Sequence, residues 1–170
     1  MVSSISELNS LAGEEAQSEL LKCCGSTEWA KRLVESRPFA DTDDLLRQSK
    51  RIWWSLDPGD WLEAFRSHPK IGEKKSEIAT AEVAQRWSEQ EQAGTRDAQQ
   101  DAIVELAEVN NRYYDRFGFI FIVYAKGKRT AEILSLMRDR INNNRDEELR
   151  IAAAEQAKIT ELRIRKLLTS

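Results

Sequence analysis

Phe119-Ile120-Phe121-Ile122-Val123-Tyr124-Ala125 is the one strand-like run in this chain of 170 residues, and its reading decides the fold. Gly118 precedes it and Gly127 ends it. A strand needs a partner, and the sequence offers no second run of comparable strength. The N–H and C=O groups of the run must still be satisfied if they are buried. They have three outlets: continuation as helix, pairing with another chain, or a ligand. On the residues alone, the first and third stay open.

Working outward, both flanks read as helix. Thr95 opens a long helix to about Phe117, with Ile103, Leu106, Asn110, Tyr113 and Phe117 on one stripe. After Gly127, helices are expected over Thr130 to Ile141 and Asp146 to Leu168. Upstream, Ser6 to Ala12 and Glu14 to Cys24 are closed by Gly13 and Gly25. Thr27 caps a short helix through Glu35, which stops before Arg37-Pro38. Asp41 or Thr42 opens a helix to about Leu56, and Asp57-Pro58 opens the next. That helix carries Trp61, Leu62 and Phe65 on one face and stops near Ser67-His68-Pro69. A polar helix is expected from Ser76 to Arg86, and Ser88-Glu89-Gln90-Glu91 reads as a capping box for a short helix stopped at Gly94. Trp53, Trp54, Trp61 and Trp87 are expected in the core.

Composition agrees with helices. Only 7 Gly and 3 Pro punctuate the chain, which argues against a sandwich or barrel. The expected fold is all-α: a single-domain helical bundle over residues 1–170, with one short extended apolar segment. Hydrophobic residues at 41%, charged residues at 32% and a net charge of -3 exclude a disordered polyelectrolyte and give no basic signal for nucleic acid. No apolar run approaches the ~18 residues of a membrane span. Met1 to Leu11 lack a basic n-region and an apolar h-region, so no secretory signal is expected. Cys23 and Cys24 are adjacent, which neither staples a fold nor makes a zinc set. The expectation is a reduced, cytoplasmic protein that needs no metal.

Three places carry possible chemistry. His68 is the only histidine, and Pro69 biases it toward an extended conformation at a helix end. Imidazole is the side chain whose ordinary pKa, about 6.5, suits proton transfer near neutrality. A plain helix-ending histidine is the alternative. Ser88 and Glu91 are either only a cap or the rim of an anion site at a helix start, with Gln92 beside them. On a wheel of the last helix, Arg163 falls beside Leu149, Ala152, Ala153, Gln156, Ile159 and Leu167. An arginine there either pairs with an internal carboxylate or holds a ligand's anion by its fork. No phosphate loop, dinucleotide fingerprint or clustered metal ligands are found.

Four motifs then occur in order: His68-Pro69-Lys70-Ile71-Gly72, Ser88-x-x-Glu91-Gln92-Ala93-Gly94, Phe117-Gly118-Phe119-Ile120-Phe121-Ile122, and Glu155-Gln156-x-Lys158-Ile159-Thr160-Glu161-Leu162-Arg163. Together they resemble the OHCU decarboxylase family, over about Trp29 to Leu168. OHCU is 2-oxo-4-hydroxy-4-carboxy-5-ureidoimidazoline. The resemblance implies an all-α, cofactor-free, homodimeric carboxy-lyase of urate catabolism that yields S-allantoin from this small-molecule substrate, with no nucleic acid and no membrane involved. It implies His68 and Glu91 as catalytic, and Pro69, Ser88, Gln92, Phe121, Val123, Ala125 and Arg163 as substrate-binding, with main-chain contacts around Val123 and Ala125. The extended apolar segment then lies near the active site. Arg165, two residues on, competes with Arg163 for the arginine's role. Another ureido compound as substrate, for a lyase or a hydrolase, and a non-catalytic helical interaction module are the alternatives.

Overall fold

The computed structural model describes the backbone of residues 2–68 and 96–169. The expected helix over 76–86, the capping box at Ser88, and Trp87 lie outside the described residues. Among the described residues the fold is all-α, with helices α1 (Ile5–Ser10), α2 (Gly13–Leu21), α3 (Thr27–Glu35), α4 (Thr42–Ser55), α5 (Pro58–Arg66), α6 (Arg96–Phe117), α7 (Thr130–Arg140) and α8 (Arg145–Leu167). Two units divide the chain: residues 1–67 with 153–170, and residues 68–152.

In the first unit, tryptophan indoles tie helices together as well as filling space. Trp29 donates to the Ser49 carbonyl, Trp61 to that of Trp53, and Trp53 to that of Ala153, the last two at 2.9 Å. Each buried N–H thus finds an acceptor, as a buried indole requires. Leu8, Leu20, Leu33, Leu45, Phe65 and Ile164 complete this core. The cap of α3 differs from expectation. Ser26, not Thr27, accepts from the Trp29 N–H, because the Thr27 N–H and hydroxyl both donate to Glu63 at 2.8 Å. Asp41 caps α4 by accepting from Asp44 N at 2.7 Å, and Pro58 opens α5 as expected. The first two helices end earlier than expected, at Ser10 and Leu21. Trp54 is corrected outright: it is 44% exposed and meets the edge of Trp61 instead of entering the core. Its neighbour Trp53 takes the inward direction, and consecutive helical residues cannot share it.

In the second unit, Leu106, Val109, Tyr113 and Phe117 form the buried stripe of α6, while Ile103 is only half-buried. Tyr113 meets Phe117, Phe119 and Phe121 with ring centroids 4.7, 5.9 and 5.2 Å away. Gly118 takes φ +78°, the left-handed conformation that closes helices, and its N–H returns to the Tyr114 carbonyl at 2.8 Å. Gly127 has the same φ and turns the chain toward α7. Between these two glycines the apolar run is neither helix nor paired strand. The outlet as continued helix is thereby removed. On α8, which runs from the second unit into the first at Ala153, Leu149, Ala152, Ala153 and Gln156 are buried as expected, whereas Ile159 and Leu167 are half-buried and Ile164 is buried instead.

Candidate active site

Pro69, Ser88, Glu91 and Gln92 lie outside the described residues. His68 directly follows Ser67, which ends α5 by returning both its N–H and its hydroxyl to the Ala64 carbonyl at 3.2 and 2.6 Å. His68 itself is half-buried. A close approach holds this corner of the first unit: a Cβ at Gly25 would collide with the Ser67 side chain.

The apolar run presents an uneven set of backbone groups. Phe121 and Ile122 are buried, while Val123, Tyr124 and Ala125 are half-buried. The Ile122 carbonyl accepts from Arg140 Nη1 at 2.8 Å, and the Tyr124 carbonyl accepts from Lys128 Nζ at 2.8 Å. The Ala125 carbonyl accepts from Lys128 N in the turn. The N–H groups of Val123 and Ala125 and the Val123 carbonyl have no hydrogen-bond partner among the described residues.

A buried polar cluster supports the run, and sequence reasoning missed it. Glu148 accepts from Arg140 Nε at 2.6 Å, from Tyr113 Oη at 2.5 Å and from Asn143 Nδ2 at 3.1 Å. The Arg140 guanidinium lies 4.2 Å from the Phe121 ring centroid, a cation–π contact. Burial, reinforced by the hydrogen bond to Glu148 and opposed by Arg140, holds the Tyr113 phenol far above its ordinary pKa. Its O–H therefore stays a donor. The signal available was weak: Arg140 and Glu148 sit at the facing ends of two helices, eight positions apart, as ordinary surface charges also do. Asn110 is also buried, with neither amide atom hydrogen-bonded among the described residues.

Arg163 and Arg165 separate clearly. Arg165 is exposed and donates to Glu161 at 3.0 Å. It also lines an open groove of about 360 Å³ with Asp43, Lys50, Trp53, Thr160 and Glu161. Arg163 is half-buried, forms no ion pair with a described carboxylate, and lies close enough to Cys23 and Cys24 to act on both thiols. Both cysteines are free and buried. Burial pushes each thiol up to about 11, with Arg163 pulling the other way.

In the second unit, the Val123 and Ala125 backbone groups, without a partner among the described residues, suit a ligand rich in amide groups. In the first unit, Arg163, without an ion pair to a described carboxylate, suits an anion. A family model, OHCU decarboxylase, matches residues 9–165, starting twenty residues before the motifs suggested. The chain therefore belongs to the OHCU decarboxylase family. It is 39% identical over 160 residues to the uric acid degradation bifunctional protein TTL of Arabidopsis thaliana, covering 94% of this chain but 49% of that protein. It thus spans about half the length of that relative. It is 30% identical over 141 residues to the 2-oxo-4-hydroxy-4-carboxy-5-ureidoimidazoline decarboxylase of Haloferax volcanii, covering 83% of this chain and 81% of that one. Among solved structures, an OHCU decarboxylase crystallised in the presence of (S)-allantoin matches with a TM-score of 0.73 and 40% identity, covering 89% of this chain and 98% of that chain.

Proposed function

We propose that this chain decarboxylates 2-oxo-4-hydroxy-4-carboxy-5-ureidoimidazoline to S-allantoin, as one OHCU decarboxylase domain working as a cytoplasmic homodimer without metal or cofactor. The observation that carries the reading is the match to the OHCU decarboxylase solved in the presence of (S)-allantoin, across nearly all of that chain.

The chemistry fits the residues. The carbon–carboxylate bond breaks, its electron pair moves into the substrate's own imidazoline carbonyl and imine, and CO2 leaves. The pair forms a double bond to the ureido-bearing carbon as the imine pair moves onto nitrogen. That nitrogen and the ureido-bearing carbon each take a proton, while the hydroxyl on the decarboxylated carbon gives one up to become allantoin's carbonyl, a net uptake of one proton. The ring supplies the electron sink, so the protein's task is to orient groups and move a proton. The Val123 N–H and C=O, without a partner among the described residues, match the acceptor and donor of a ureido group, and the Ala125 N–H adds a second donor. Arg163 orients the substrate's anion through its fork. His68 polarises the leaving region or delivers the proton to one face, and Glu91 hydrogen-bonds the hydroxyl or ureido group. Delivery to one face yields one enantiomer. A positioned acid of this kind contributes ~10²–10⁴-fold.

The test is 13C NMR of substrate generated in situ from hydroxyisourate and its hydrolase. Prompt transfer of the carboxylate label to CO2 and bicarbonate, unaffected by EDTA, is expected. Loss of activity with EDTA and recovery with zinc would remove the cofactor-free part of the reading, and decay at the uncatalysed rate would remove all of it.

A further inference from the structure

We propose that Arg140 and Lys128 are positioning residues that aim the Val123 and Ala125 N–H groups at the substrate, an inference that rests on the decarboxylase reading above.

The argument starts from the peptide bond. The Ile122 carbonyl and the Val123 N–H belong to one planar unit, and in a trans peptide they point in opposite directions. The same holds for the Tyr124 carbonyl and the Ala125 N–H. The only cis peptide among the described residues is Arg37-Pro38, so both units are trans. Whatever holds the carbonyl of each unit therefore fixes the direction of its N–H. In a paired strand the ladder would do this. Here there is no ladder, and two cationic side chains do it instead: Arg140 on Ile122 and Lys128 on Tyr124, each at 2.8 Å.

The two clamps are built differently. Arg140 is buried, locked by Glu148 at 2.6 Å and laid over the Phe121 ring, the residue just before the peptide it holds. Glu148 is in turn fixed by Tyr113 and Asn143. Lys128 is half-buried and reaches back four residues over the Gly127 turn, where its own N–H also closes on the Ala125 carbonyl. Charged donors make the stronger class of hydrogen bond, which suits a clamp that must hold one carbonyl without a sheet. The result is two preset N–H groups with no protein acceptor among the described residues.

The test uses the full chain labelled with 15N, with (S)-allantoin as the titrated probe, and the variants Lys128→Met and Arg140→Lys. In the unmodified protein the Val123 and Ala125 amide signals should move on titration. Lys128→Met should shrink the Ala125 response and leave that of Val123, with an unchanged melting temperature. Arg140→Lys, which keeps the charge but not the fork, should do the reverse. KM should rise roughly 3–10-fold for Lys128→Met with kcat held, as loss of one preset hydrogen bond implies. A role in stability alone would lower the melting temperature and leave KM and the amide responses alone. If Arg140→Lys does not fold, Lys128→Met decides. Folded variants with full amide responses and unchanged KM would overturn the proposal while the decarboxylase reading stands. An unmodified protein that neither responds to (S)-allantoin nor forms it would instead remove that reading, and the proposal with it.

Discussion

Arg140 and Glu148 form an ion pair at 2.6 Å with both side chains buried. A buried pair is costly to form, and much costlier to break by removing one partner, because the other charge is then left without compensation. Glu148→Gln should therefore destabilise the protein by about 3–5 kcal/mol. Tyr113→Phe removes only the phenol's donor to the same carboxylate and should cost about 1.5–3 kcal/mol. Urea midpoints at constant m-value check the order, and equal losses would mean the tyrosine is as necessary as the ion pair.

Arg163 and Arg165 make a second, sharper comparison. Arg165 already has Glu161 and faces solvent, so Arg165→Lys should change neither folding nor turnover noticeably. Arg163→Lys keeps the charge but loses the planar fork, and should raise KM by roughly 10-fold with the melting temperature nearly unchanged. Steady-state kinetics on both variants decide between them. A silent Arg163→Lys with a damaging Arg165→Lys would move the anion site to the groove beside α4.

Much of this architecture is legible in residue order. Asp41, Pro58, Gly118 and Gly127 act locally, so their effects on caps and turns need no knowledge of the rest of the chain. Ser26 and Thr27 show the limit. Either can cap α3, and the choice falls to Glu63, thirty-six residues away, which captures Thr27. Trp53 and Trp54 show another, since type and neighbourhood are alike and only the direction of the helix face separates them. The Tyr113–Arg140–Glu148 cluster was illegible for the same reason, as its members come from three separate helices. In the apolar run, the lack of a partner strand is legible, but the two cations that replace the ladder are not.

The cysteines give a pH prediction. Both thiols are raised to about 11 from an ordinary 9.0, so the folded chain holds its thiol protons more tightly than the unfolded chain. Their contribution is fully present below pH 9.0 and is lost as pH rises through about 11. Stability measured by urea unfolding should fall across that window. A Cys23→Ala, Cys24→Ala double variant should fall less steeply; an identical slope would show that other groups control alkaline unfolding.

Gly25 sets the corner before His68. Gly25→Ala would press a methyl group into Ser67 and should cost about 1–3 kcal/mol through overpacking. Because Ser67 immediately precedes His68, turnover of the folded fraction should fall as well. Thermal melting and turnover measured on the same sample separate the two, and a stable, fully active variant would show that Ser67 moves aside freely.

The central claim is that this chain makes one enantiomer of allantoin by removing a carboxylate, with His68 at the reacting centre. Circular dichroism of allantoin, followed in time after substrate is generated in situ, tests it most directly. The unmodified protein should produce a rapid optical signal of S-allantoin. His68→Asn, with an intact melting curve, should lower that rate by at least ~10², the smaller end of what a positioned acid or base contributes. A folded His68→Asn that releases carboxylate at full rate but yields racemic allantoin would assign the histidine to protonation alone. No optical signal from the unmodified protein, with substrate decaying to racemic allantoin at its uncatalysed rate, would contradict the account.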